Sequence, residues 1–190
     1  MVEQILLFAG SQAPGAGCKL APANAGQVVR QAVEACEPQL QESGMTVEQH
    51  IAADLPMISA DTRLLSDCLQ NLLSNAVKYA ASGGWASVRV EAVPDAKPAS
   101  VRITVQDRGP GIPADDLPHI FEPFYRGENG KSTHVKGIGM GLSIVKSIVD
   151  AHGGSIEVAA GDGGGACFRL TFPALAPQPA PVESRAEVTT

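Results

Sequence analysis

Apolar residues recur along this chain with two periods, and the switches between them mark its elements. Over residues 22–41 the positions Ala25, Val28, Val29, Ala32, Val33 and Cys36 form one stripe at helical spacing, closed by Glu42-Ser43-Gly44. Residues 46–51 change to alternation, with Val47, Gln49 and Ile51 on one side, which predicts a short strand. Asp61 is suited to cap a long helix running to about Ala80, whose core arc is Leu65, Leu69, Leu72, Leu73, Ala76 and Ala80. Ser82-Gly83-Gly84 ends that helix. Alternation returns over 85–92, 101–105, 155–160 and 166–172, and the last of these puts Ala166, Phe168, Leu170 and Phe172 on one face. Five residues, Gly161-Asp162-Gly163-Gly164-Gly165, join the last two strands as a hairpin. Between the strands, a helix is expected over 142–151, stopped by His152-Gly153-Gly154.

Hairpins and loops, rather than regular crossovers, join most of these strands. That predicts an α+β fold, with helices covering one face of a mixed, mostly antiparallel sheet. The two ends stand apart. In residues 1–16, Val2, Ile5, Leu6 and Ala9 keep helical spacing until Gly10-Ser11-Gln12-Ala13-Pro14-Gly15 stops it. A helix of about ten residues is marginal alone, so this segment reads as the end of a longer helix. Residues 173–190 hold four prolines, no aromatic residue and no periodicity, and are expected to be a disordered tail. One ordered domain over 17–172 remains.

Composition narrows the function classes. Hydrophobic residues are 44% of the 190 but aromatics only 4%, so the core must be aliphatic. The formal charge of −6 argues against a nucleic-acid partner, which needs a basic face for phosphate contacts. No apolar run approaches the ~20 residues of a membrane helix, so no membrane contact is expected of this chain. Cys18, Cys36, Cys68 and Cys167 include no Cys-x-x-Cys pair, which disfavours zinc or a disulfide framework and fits a reducing, cytoplasmic setting.

Three stretches carry candidate chemistry. On the long helix Asn71, Asn75 and Lys78 fall within roughly 60° of one another, opposite the leucine arc. Either they form a solvated face, or an amide oxygen there serves a hard cation while the lysine stands near the same anion. Asp107-Arg108-Gly109-Pro110-Gly111-Ile112-Pro113 then puts a carboxylate at a strand end, with glycines that permit close backbone approach. Such an acceptor suits an exocyclic amino group, and adenine is a natural candidate. Finally, Gly137-Ile138-Gly139-Met140-Gly141-Leu142 opens a helix, where exposed N–H groups and the helix dipole favour anions. A dinucleotide fingerprint fails there, because the preceding residues are polar rather than a strand. A Walker loop ending in Gly130-Lys131-Ser132 also fails, since residue 125 is tyrosine where glycine is required. Residues 126–136 hold three basic side chains against one acidic, which suits a mobile lid over a negatively charged ligand.

The order of these motifs resembles the ATP-binding domain of sensor histidine kinases, within the wider superfamily of gyrase, heat-shock chaperone and mismatch-repair ATPases. The matching residues are Asn71-Leu72-Leu73-Ser74-Asn75-Ala76-Val77-Lys78-Tyr79, the Asp107 to Ile112 stretch, Phe121-Glu122-Pro123-Phe124, and Gly137 to Val145. The resemblance implies a two-layer α/β sandwich that binds ATP with Mg²⁺. It implies Asn75 as metal ligand with Asn71 one turn earlier, and Lys78 and Arg126 near the phosphates; Asn71, Lys78 and Arg126 would be the catalytic set. Tyr79 would lie by the nucleotide, Asp107 would accept from adenine N6, and Gly109 and Gly111 would allow close approach. Gly137, Gly139 and Gly141 would shape the lid hinge, while Phe121 and Phe124 anchor the lid. Ile112, Leu142, Lys131 and Lys136 complete the implied nucleotide contacts.

The departures from the family pattern are informative. Its phosphoryl acceptor is a histidine on a separate dimerisation helix, in a His-Glu-x-x-x-Pro-like setting, and none of His50, His119, His134 and His152 has that context. All four read as structural. Residues 1–16 resemble the last turns of that dimerisation domain, so the implied partners are a histidine-bearing domain of a parent protein and, indirectly, a response regulator. An ATP-gated binding module without phosphoryl transfer is the competing reading. A water-directed ATPase is disfavoured, because the acidic base expected one turn before Asn75 is the amide Asn71.

Overall fold

The computed structural model describes residues 18–127 and 137–176. The expected N-terminal helix, the segment 128–136 with Lys131, His134 and Lys136, and most of the tail lie outside the described residues. The elements run β1 (Ala21–Ala23), α1 (Ala25–Ser43), β2 (Thr46–Ile51), β3 (Ile58–Ala60), α2 (Thr62–Ala80), β4 (Trp85–Val93), β5 (Ser100–Asp107), α3 (Gly141–Ala151), β6 (Ser155–Ala160) and β7 (Ala166–Pro173). Strands β2-β4-β5-β7-β6 make one sheet in that order. Only the β2–β4 pair is parallel; every other pair is antiparallel. The parallel pair needs a crossover, and α2 lies on it.

Each helix begins and ends for a local reason. Asn24 caps α1 by accepting from the Gln27 N–H at 3.0 Å, and Gly44, with φ +67°, closes it as its N–H donates to Gln41 O. The cap therefore sits at residue 24, two residues beyond the expected start, because residues 21–23 are taken by a strand. Pro38 lies inside α1 on its exposed side, where water can serve the carbonyl that the missing N–H leaves unmet. Asp61 caps α2, accepting through Oδ1 from the Arg63 and Leu64 N–H groups and through Oδ2 from that of Lys19. The leucine arc of α2 is fully inside: Leu65, Leu69, Leu72, Leu73, Ala76 and Ala80 are all buried.

The core lies between this helical layer and one face of the sheet, from which Val88, Val90, Val101, Ile103, Leu170 and Phe172 project. It is aliphatic apart from Phe168 and Phe172. His152 stitches the two layers together. Its Nε2 accepts from the Asp61 N–H at 3.0 Å, its Nδ1 meets Ile148 O at 2.7 Å, and its ring stands edge-on to Phe172. With both ring nitrogens committed inside the protein, His152 is a structural residue.

Two features depart from the expectation. A small antiparallel sheet pairs β1 with β3, Pro22 standing opposite Ser59. The boundary at residue 172 falls short as well: Pro173 completes β7, Ala174 bridges to Ile58, and the Leu175 N–H donates to Met57 O at 2.7 Å. Residues 173–175 are held by main-chain bonds to a distant segment, which the local composition does not reveal.

Candidate functional site

Beside the C-terminal end of β5 opens a cleft of about 740 Å³, counting the part open to solvent. Seven of the expected residues line it: Asn75, Tyr79, Asp107, Gly111, Ile112, Arg126 and Leu142. Its apolar wall is completed by Ile120, Ala166 and Phe168.

Asp107 is buried in the cleft wall, and its orientation is fixed from two sides. Oδ1 accepts from the Gly109 N–H at 2.8 Å and from the Ala166 N–H at 3.2 Å. The second contact comes from the β6–β7 hairpin, whose Gly163, Gly164 and Gly165 all have positive φ. Gly165 presses so closely that a Cβ would fall 2.1 Å from Asp107 O, so only glycine fits there. Held in this way, the carboxylate keeps Oδ2 for a ligand. The glycine-rich hairpin was legible as a turn, but nothing in the sequence marked it as a support for Asp107.

The amides of α2 meet the start of α3, and Asn75 and Leu142 carry this contact into the cleft lining. Asn71 Nδ2 donates to Asp67 O at 2.9 Å, which settles its amide orientation and leaves Oδ1 as an acceptor. A Cβ on Gly141 would lie 3.6 Å from Asn71 Oδ1 and 3.9 Å from Asn75 Oδ1, so the first turn of α3 packs against both amides. Among the described residues, no side chain caps α3; Ser143 Oγ instead donates back to Met140 O at 2.9 Å. Its first N–H groups therefore have no side-chain acceptor, an arrangement that suits an anion. Among the described residues, no three His, Cys, Asp or Glu side chains converge as a metal site. A divalent ion here would depend on an amide oxygen and on the ligand's own phosphates, which is a donor set Mg²⁺ accepts.

The remaining expected residues lie outside the cleft lining. Lys78 is exposed on α2, and Gly109 sits behind Asp107, against Ala80. Gly137 is exposed, while Gly139 packs on the backbone of Phe124 and Tyr125, where a Cβ would come 2.6 Å from Tyr125 O. Phe121 is half-buried against the core, but Phe124 is 65% exposed. Several lining residues escaped the sequence reading, among them Asp116, which is buried, and Tyr125, whose hydroxyl donates to Asp116 Oδ1 at 2.6 Å. An acid in an Ala-Asp-Asp turn carries no local signal that it will be buried.

Other chemistries find little support. Burial raises the thiols of Cys36, Cys68 and Cys167, which keeps them protonated and unreactive. His50 lies on the edge strand beside Glu48 at 3.5 Å, and His119 Nδ1 bonds Glu122 Oε1 at 2.8 Å, both on the surface. No described helix is long and apolar enough to cross a membrane.

Comparison with known proteins gives the same picture. Residues 60–176 match the family model described as histidine kinase-, DNA gyrase B-, and HSP90-like ATPase. The chain is 36% identical over 173 residues to the sensor protein KdpD of Escherichia coli, covering 91% of this chain and 18% of that protein. Full-length ShkA, solved in complex with AMPPNP, superposes with a TM-score of 0.75 at 32% identity, covering 93% of this chain and 36% of that one. The mycobacterial sensor histidine kinase MprB superposes with a TM-score of 0.70 at 27% identity, covering 81% of this chain and 98% of that one. The chain thus spans less than a fifth of the length of KdpD. Because the family model takes in Asp61, the amides of α2, Asp107 and the glycines before α3 in one continuous match, the chain belongs to the histidine kinase-, DNA gyrase B- and HSP90-like ATPase family.

Proposed function

We propose that this chain is the ATP-binding catalytic domain of a cytoplasmic sensor-kinase module. In this reading it passes the γ-phosphoryl group of ATP to a histidine on a separate dimerisation domain of its parent, which in turn serves a response regulator. One observation carries the reading: a single cleft is lined by an oriented carboxylate, apolar side chains, an arginine and an amide. The AMPPNP complex of the similar ShkA supports the same ligand class.

Adenine lies against Ile112, Leu142 and Phe168, beside Tyr79, and its amino group donates to Asp107. Arg126 and the uncapped start of α3 face the phosphates, with Lys78 one turn beyond Asn75 on the same helix. Asn75 would hold Mg²⁺, with Asn71 beside it; bound there, the ion neutralises phosphate charge. The chain's own work is positioning and charge stabilisation, since phosphoryl transfer asks little covalent chemistry of the protein. With an amide at residue 71, the cleft offers no carboxylate base one turn before Asn75 to activate water, which favours transfer over hydrolysis.

Calorimetry tests the assignment directly. ATP should bind more tightly with Mg²⁺ than without it, and roughly 10–150-fold more tightly than GTP, the range for losing one hydrogen bond to a charged group. Asn75→Ala should remove most of the Mg²⁺ dependence while the protein stays folded. Equal affinity for ATP and GTP would remove the adenine assignment. Undiminished Mg²⁺ dependence in a folded Asn75→Ala protein would put the metal ligand elsewhere.

A further inference from the structure

Two acids are buried in the described structure, Asp107 and Asp116, and both line the cleft. The nucleotide reading gives only the first a task. A carboxylate in the wall of a cleft for an anionic ligand repels that ligand unless it is turned onto donors. Asp116 is turned in that way. Its backbone is set in a tight turn, the Asp116 N–H donating to Pro113 O at 3.0 Å and Asp116 O accepting from the His119 N–H at 2.9 Å. From there the carboxylate meets the chain on both sides of Arg126. Oδ1 accepts from the Tyr125 hydroxyl at 2.6 Å, and a Cβ on Gly127 would lie only 2.2 Å from Oδ2. A side chain at residue 127 would have to displace this carboxylate.

The same short segment is braced from two other directions. The His119 ring lies 5.4 Å from the Tyr125 ring, and His119 is itself held by Glu122. Gly139 packs onto the Phe124–Tyr125 backbone from the side of α3.

We infer that Asp116 is a positioning residue for Arg126: by bonding Tyr125 and seating Gly127, it aims the guanidinium at the phosphate end of the cleft. In that role it sets the preference for a nucleotide over the nucleoside without touching either. The inference rests on the ATP reading above, and its test separates the two.

The full chain and its variants are titrated with Mg²⁺–ATP and, separately, with adenosine, and both affinities are read from amide NMR shifts. Tyr125→Phe removes the hydroxyl and keeps the ring against His119. Its ATP affinity should fall roughly tenfold, the effect of losing a hydrogen bond to a charged group, while adenosine affinity changes less than about twofold. Asp116→Ala, which removes the acceptor, should shift the ratio in the same direction, and the double variant should lose no more than the larger single loss, because the same bond is broken once. Should Tyr125→Phe fail to fold, Asp116→Ala reads the same bond. Equal losses for ATP and adenosine, or an unchanged ratio in folded variants, would overturn the positioning role alone. A wild-type chain that binds neither ligand would overturn the nucleotide reading on which it stands.

Discussion

Asp107→Asn separates the structural work of that residue from its work on the ligand. In the native chain Oδ1 takes both main-chain donors, the Gly109 N–H at 2.8 Å and the Ala166 N–H at 3.2 Å. An asparagine oxygen can occupy the same place and accept both. What changes there is charge, so two charge-assisted bonds become neutral ones, and a loss of about 1 kcal/mol of stability is expected. At the ligand end the change is larger, because an N–H₂ donor now replaces Oδ2 and faces the amino group of adenine, donor against donor. Losing the charge-assisted bond alone is worth ~1.5–3 kcal/mol, or roughly 10–150-fold in ATP affinity. Guanine carries a carbonyl oxygen at the corresponding position and would accept from the new amide. The ratio of ATP to GTP affinity should therefore fall sharply, and GTP binding should improve in absolute terms. Isothermal calorimetry on the wild type and the variant, with urea melts alongside, gives every quantity needed. Asp107→Ala is the contrast, since it leaves two main-chain donors unmet, at about 1–3 kcal/mol each. A folded Asp107→Asn protein that keeps wild-type ATP affinity, or that loses ATP and GTP in equal measure, would refute the assignment of this carboxylate to adenine.

Two further outcomes follow from the core. His152→Ala removes the bond that ties the end of α3 to the Asp61 N–H and the ring bond to Ile148 O, and opens a void beside Phe172, so urea denaturation should show a loss of about 2–4 kcal/mol; a loss below about 1 kcal/mol would contradict this. For Asp61, burial pushes the carboxyl up, but main-chain N–H bonds from Lys19, Leu64 and Arg63 outweigh it and leave the pKa lowered. The unfolded state then binds its proton first, so this contribution is present above the unfolded value of about 3.9 and is lost as pH falls through the lower folded value. Asp61→Ala should flatten the stability profile below about pH 4, and an unchanged acid slope would deny Asp61 that role.

Much of this architecture is legible in the sequence because local physics and tertiary packing agree. The α2 helix has a capping Asp61, an unbroken leucine arc and a glycine stop, so no distant contact is needed to specify it. Strands β6 and β7 likewise announce themselves through alternation and a glycine-rich turn. The β1–β3 pair is different: each strand is three residues long, one contains Pro22, and they meet across more than thirty intervening residues. Neither segment has a period of its own. Pro173 misled for the same reason, since a proline followed by Ala174-Leu175 has the composition of a tail, and only its pairing with Ile58 and Met57 makes it part of the fold. In the cleft, Asp107 was conspicuous because a carboxylate ends a strand before two glycines. Asp116 had no such frame, and its burial depends on Tyr125 and Gly127, which the chain brings back only after a turn.

The central claim is phosphoryl transfer to a histidine on another domain, and one labelling experiment bears on it most directly. This chain is incubated with γ-labelled ATP and Mg²⁺, alone and with the separately purified histidine-bearing dimerisation domain of its parent. Alone it should take up no label, as His152 is committed to the core and His50 and His119 are paired with Glu48 and Glu122 on the surface. With the partner domain, acid-labile phosphate should appear on that domain, slowly, because the mM effective concentration that a short tether provides is missing. Saturable ATP binding with no label on the supplied histidine would contradict the kinase assignment and leave an ATP-gated binding module.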